Sequence, residues 1–261
     1  MRFNADTSFG NVDISKDVGM AQYAIHEGWI YRCFMESFVR QRGQERVNVF
    51  PNAEHIFSFC LIGNVAYIVV LGDQEYVLMR GTIGSDEEPT FILSKEHLFR
   101  VASDGEHLYY VNDREWGLIT QQGTIKIMDK EGDDDRFYLS VPAAVHGKLY
   151  HTTKIGDDRF SLLVSGSLED TNVTDLLCNV DNRYQICSIC VDSEDNIYFT
   201  SLNRYGRYQS VYKLELTEDG CEEIEMDDYD LCIQDGDGVA FVDRNGWLLR
   251  EDSGAMTKAA R

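Results

Sequence analysis

Cys187-Ser188-Ile189-Cys190 has the two-residue gap of a zinc knuckle or a dithiol redox motif. The four residues stand inside YQICSICVD, which reads as a strand. Positions three apart on a strand point to opposite faces, so a shared metal is disfavoured and two small buried thiols are expected. Asp104, Asp195 and Asp237 recur at equivalent turns. Oxygen ligands of this kind, gathered around a channel, could hold a divalent cation. Aspartate at Asp/Gly/Asn turns is more simply explained by its hydrogen bonds to nearby backbone. The histidines, His26, His55, His97, His107, His146 and His151, form no helical zinc pair and no other metal spacing. There is no nucleophile elbow, no phosphate-binding P-loop and no dinucleotide fingerprint. The sequence therefore nominates no catalytic residue, no metal ligand and no cofactor.

Arginine next to aromatic residues forms the other group able to do specific work. The pattern occurs at Arg114 and Trp116, at Arg204, Tyr205, Arg207 and Tyr208, and at Arg244 ahead of Trp247. Such residues bury large areas while satisfying polar groups, which suits a protein or peptide docking face. The competing expectation is that Tyr208 and Trp247 begin strands and pack inside while the arginines stay solvated. A second basic cluster, Arg40-Gln41-Arg42 with Arg46, could receive an acidic peptide or phosphate, or could simply neutralise neighbouring acid.

These residues sit in a repeating frame. EGWIYRC, GNVAYIV, DGEHLYYV, HGKLYHT, EDNIYFT and GDGVAFV carry aromatic anchors at Tyr31, Tyr67, Tyr109, Tyr150, Tyr198 and Phe241. The anchors recur about every 42 residues, so six units account for nearly the whole chain. The third unit shows the internal order: HLFRVAS, a DGE turn, HLYYVN, DREW, GLITQQ, then TIKIMD. Short strands separated by turn residues predict antiparallel β-structure, and only Leu168 to Leu177 weakly matches a helical period. In unit four the first strand is expected over Phe137, Leu139 and Val141.

The turn-and-strand motif in DGEHLYYVND and SEDNIYFTSLN resembles the repeats of six-bladed β-propellers of the NHL, YWTD and gluconolactonase-like group. That resemblance implies an all-β chain, one domain over residues 1–261, with six four-stranded blades. Closure is expected from the N-terminal segment, with Gly10 to Ser15 supplying the outer strand of the last blade. The gluconolactonase-like members imply an alternative role, a metal-assisted hydrolase or lactonase with a divalent cation at the central channel.

Composition narrows the classes. A formal charge of −21, from 45 acidic and 24 basic side chains, disfavours nucleic acid and acidic membrane surfaces. The acid concentrates at Asp86-Glu87-Glu88, at Asp133-Asp134-Asp135 and from Glu218 to Asp230, where Glu223 and Glu225 alternate with Ile224 and Met226 as on a half-buried edge strand. Seven cysteines, an odd number scattered through apolar segments, fit free thiols in a reducing compartment. No apolar run has the length of a signal peptide or a membrane span. The expectation is thus a soluble cytoplasmic or nuclear scaffold that binds a protein or peptide without catalysis.

Overall fold

The computed structural model describes residues 3–5, 7–12, 14, 21–34, 37–112, 115–120, 123–129, 140–155, 159–165, 174–181, 185–202, 208–217 and 220–251. Apart from one 3-10 turn at Thr7–Phe9, every regular element among them is a strand. In chain order these are β1 (Phe3–Ala5), β2 (Gln22–His26), β3 (Trp29–Phe34), β4 (Ser37–Arg42), β5 (Glu45–Asn48), β6 (Ile56–Ile62), β7 (Val65–Leu71), β8 (Tyr76–Thr82) and β9 (Thr90–Lys95). There follow β10 (Phe99–Ser103), β11 (Leu108–Asn112), β12 (Glu115–Thr120), β13 (Gly123–Asp129), β14 (Ala143–Val145), β15 (Lys148–Ile155), β16 (Arg159–Ser165) and β17 (Thr174–Asp181). The series ends with β18 (Gln185–Val191), β19 (Ile197–Leu202), β20 (Tyr208–Thr217), β21 (Gly220–Met226), β22 (Tyr229–Asp235), β23 (Gly238–Asp243) and β24 (Leu248–Glu251).

Turn chemistry sets the first hairpin of several units. Glu27 and Gly28 both have positive φ, 48° and 76°, as do His146 and Gly147 at 51° and 74°. Two such residues in succession match the twist of the flanking strands, so each pair closes a tight antiparallel hairpin. The strands then pair in sequence order into four-stranded sheets, β6 to β9, β10 to β13, β14 to β17 and β18 to β21. The remainder form one eight-stranded sheet in the order β1-β24-β23-β22-β2-β3-β4-β5. Within it β22 meets β2 in parallel through a single register pair, Ile25 with Asp235.

Each core is shared by consecutive sheets, because a four-stranded sheet with apolar residues on both faces needs a neighbour on each side. Tyr31 and Phe38 pack against Phe59 and Ile68, and Val69 and Leu78 pack against Phe99 and Tyr110. Trp116 and Tyr109 meet Leu149, Tyr150 meets Phe199 and Tyr212, and Tyr198 meets Phe241. Leu231 and Ala240 of the last unit share a core with Tyr23 and Ile30 of the first. The chain is all-β and of propeller type.

Several expectations change. The N-terminal partner of β24 is β1, at Phe3–Ala5, and not Gly10 to Ser15. Asn11 and Val12 instead bind the turn before β24, through an Asn11–Trp247 bridge and a Val12 N–H donated to the Gly246 carbonyl. Unit four opens on β14, because the residue run Ala143-Ala144-Val145 directly precedes the His146-Gly147 turn. Phe137 and Leu139 lie outside the described residues. Of the weak helical match, residues 168–173 are likewise outside them, and Thr174–Asp181 is strand β17. On the outer strand β21, Ile224 is exposed while Glu223 is half-buried, so Ile224 is not the inward residue of that strand.

Candidate functional site

The first strands of the units, β2, β6, β10, β14, β18 and β22, converge on one cavity of about 200 Å3. Backbone and small or apolar side chains form most of its wall, including Ala24, Ala102, Ala143, Cys190 and Cys232. Polar groups enter at two levels. Near one end stand His26, Ser103, Asp104 and Asp237, at or beside the first-hairpin turns. Gln22 sits farther along, while Gln234 stands beside the last unit's turn and donates to the Gly236 and Gly238 carbonyls. His26 Nε2 is buried without a hydrogen-bond partner and lies 3.9 Å from Glu27 Oε1.

The two glutamines act as clamps between adjoining first strands. Gln22 donates from Nε2 to the Phe59 carbonyl and accepts from the Phe59 N–H and the Ser58 hydroxyl. Gln234 donates to the Val191 carbonyl and accepts the Val191 N–H at 2.9 Å. A planar amide matches one N–H and one C=O of an extended neighbour, so both peptide groups stay satisfied where no regular ladder runs between the sheets.

Arg100, on β10, is 3% exposed. Its Nη1 donates to the Phe57 carbonyl, which a register shift in β6 between Ile56 and Ser58 makes available. Its Nε is buried without a partner. The electrostatic neighbours of the guanidinium include Cys33, Cys187 and Tyr208. Burial pushes the Cys33 thiol up to about 11 and the Cys187 thiol to about 12, and it also raises the Tyr208 phenol. Near neutral pH these groups are uncharged.

The remaining candidate residues are dispersed. Trp116 is 2% exposed and packs beside Leu149, and Tyr208 donates to the Ala21 carbonyl at 3.1 Å. Trp116 is an interior residue and Tyr208 a partly buried one, so the Trp116 side chain does not stand on an outer docking face. Arg244 is exposed in the turn after β23, with its charge beside Asp230, whose carboxyl is raised by burial. Arg114, Arg204, Tyr205 and Arg207 lie outside the described residues. In the other basic cluster, Arg40 stacks over the Trp29 ring at 4.5 Å.

Asp104 is occupied as a turn residue. It accepts the N–H groups of Glu106 and His107 and the Tyr109 hydroxyl, and it pairs with the His107 ring. Cys187 and Cys190 both lie near Cys232, and Cys187 also lies near Arg100. Among the described residues no three His, Cys, Asp or Glu side chains gather as a metal site. Arg100 and the glutamine clamps had no motif to announce them. The one available signal was a charged residue within HLFRVAS, the apolar opening strand of the third unit.

No sequence-family profile matches the chain, and no curated protein matches it by sequence. Solved structures do match it by shape. The PQQ-bound aldose sugar dehydrogenase of Streptomyces coelicolor aligns over 95% of this chain and 98% of its own, at 9% identity and a TM-score of 0.64. An extracellular domain assigned to a one-component system of B. thetaiotaomicron aligns over 87% of this chain and 32% of its own, at 9% identity and a TM-score of 0.55. The GH74 xyloglucanase of Xanthomonas campestris aligns over 85% of this chain and 39% of its own, at 11% identity and a TM-score of 0.55. This chain thus spans about a third of the latter two. At these identities the likeness establishes the propeller-type fold. It also corrects the expectation of a non-catalytic intracellular scaffold, since the matching structures are two enzymes and an extracellular domain.

Proposed function

We propose that the chain is a six-bladed propeller, closed by β1 on β24, that binds a small polyhydroxylated molecule of the sugar class in its central channel. The observation that carries this reading is the cavity to which the first strands of all six units contribute. Concave sites with apolar walls and a few placed polar groups are where small ligands bind. The wall supplies both kinds of surface, and His26 Nε2 lacks the hydrogen-bond partner that a ligand hydroxyl would supply. A larger groove of about 750 Å3, lined by Tyr67, Arg80, Phe91 and Leu118, is served by only two sheets and lacks that convergence. The dehydrogenase and xyloglucanase matches, both named for sugar substrates, support the ligand class.

The test is a thermal-shift and calorimetric titration with neutral aldoses, glucose among them, on the wild type and on His26→Ala. Saturating ligand at about 100 times Kd stabilises the folded state by about 2.7 kcal/mol. The expected result is a rise in Tm with an affinity that falls about tenfold in His26→Ala, the loss of one buried hydrogen bond. An absence of any shift, or an identical affinity in the variant, would sink the reading.

A further inference from the structure

We propose that Arg100, buried on the first strand β10, is an anion site taking the carboxylate of a small organic acid. A guanidinium removed from water needs a counter-charge or a full set of acceptors, because burying an unpaired ion is costly. Arg100 has neither among the described residues. Its single hydrogen bond is to the Phe57 carbonyl, Nε is unpartnered, and no carboxylate among the described residues pairs with it. The groups around it, Cys33, Cys187 and Tyr208, are held neutral by burial and cannot compensate it. With Nη1 engaged, the edge carrying Nε is left over. Two parallel N–H groups on such an edge match the two oxygens of a carboxylate.

Arg100 does not itself line the cavity, but its strand does, through Ala102 and Ser103. Arg100 precedes Ser103 by three residues on β10, roughly 10 Å along an extended strand, and Ser103 stands at the hairpin-turn end of the cavity. At the opposite end Gln22 lines the cavity, and its partner Ser58 accepts the Val101 N–H, the peptide that follows Arg100. A sugar acid would place its hydroxyls toward His26 and its carboxylate toward Arg100. The location of the ligand body rests on the channel reading above, whereas the anion site stands on Arg100 alone.

The experiment compares D-gluconate, D-glucose and acetate by calorimetry and thermal shift at constant ionic strength, on the wild type and on Arg100→Met and Arg100→Lys. The expected result is that gluconate binds about tenfold or more tightly than glucose, the worth of a charge-assisted hydrogen-bonded pair. Arg100→Met should lose that preference and any acetate response. Arg100→Lys, which keeps the charge without the planar edge, should bind gluconate more weakly than the wild type, and it carries the comparison if Arg100→Met does not fold. Acetate stabilising the wild type but not Arg100→Met would uphold the anion site even if no sugar bound, and would then sink the sugar reading alone. Equal affinities for gluconate and glucose in the wild type would overturn the anion site and leave the sugar reading standing. A gluconate preference that survives in Arg100→Met would overturn it too, as would silence from both gluconate and acetate.

Discussion

A buried tyrosine hydroxyl must find an acceptor, and that requirement shapes the turns beside two of the repeat anchors. Tyr109 donates to Asp104 and Tyr198 donates to Asp192, each carboxylate also collecting the N–H groups of its own turn. Burial alone would raise the Asp104 carboxyl, but the N–H groups of His107 and Glu106 and the His107 ring outweigh it and hold the carboxyl below its ordinary range. A depressed folded-state value means stability that is present above the unfolded value, near pH 4, and lost as pH falls through the lower folded one. Asp104→Ala should therefore destabilise by about 2 kcal/mol at pH 7, read by urea denaturation, and the gap from wild type should shrink below about pH 4. A gap of the same size at pH 3 would contradict this account. Tyr109→Phe, which leaves the carboxylate its other partners, should cost less. The Asp104 turn was legible because Asp-Gly and Tyr stand at a familiar spacing. Asp195 does not share that part: the fifth unit's turn is one residue longer, so Asp192 takes the acceptor role and Asp195 sits exposed near Lys148, at φ 60°. Arg100 was illegible for another reason, since a single charge in an apolar strand looks like an outward-facing position until the facing strands are known.

Between elements, the informative contacts are those that replace a missing ladder. Backbone hydrogen bonds join strands within each sheet, and Val141 makes two more with Cys187 and Ile189 of β18, but at other points around the cavity side chains satisfy the facing peptide groups. Gln22 and Gln234 do this for β6 and β18, and Thr200 does it for the Cys232 N–H. Gln22→Ala would leave the Phe59 N–H and C=O and the Ser58 hydroxyl short of partners in a buried setting. The expected loss is about 2–3 kcal/mol in the urea midpoint analysis, with an unchanged m-value because the same surface is still buried. Gln22→Glu should also destabilise, since it replaces the amide donor facing the Phe59 carbonyl with an acceptor. A loss under about 0.5 kcal/mol for Gln22→Ala would show that the clamp is dispensable. The strands themselves were readable from turns and alternation, as in YQICSICVD, which forms β18 as expected. The clamps were not, because glutamine near a strand start has no distinctive neighbours in sequence. Nor was β14 readable: three small residues give too short a pattern, and apolar residues upstream offered a stronger one.

Across the whole molecule the N-terminal segment joins the last unit to the first. β1 covers the free edge of β24, Val12 donates to the Gly246 carbonyl at 2.7 Å, and Gly43 donates to the Phe9 carbonyl at 3.1 Å. Phe9 itself is 1% exposed in the core shared by both units. The geometry depends on Gly10, which has φ +72° and would place a Cβ 3.0 Å from the Gly43 carbonyl oxygen. Gly10→Ala should cost at least about 1–2 kcal/mol, the penalty of a left-handed conformation for an L side chain before any crowding. Removing residues 1–12 should do more, since it uncovers the edge of β24 and strips Phe9 from the core between the end units. An uncovered edge presents unpaired N–H and C=O groups to other copies, so the truncated chain should self-associate as well as lose stability. The charge of −21 opposes that association through long-range repulsion, and salt near 0.15 M screens such repulsion beyond about 8 Å. Association of the truncated chain should therefore grow with ionic strength while the full chain stays unaffected, as measured by light scattering across a salt series. A truncated chain that remained monomeric at every salt concentration, with an unshifted unfolding midpoint, would mean that the first and last units hold together without the N-terminal segment.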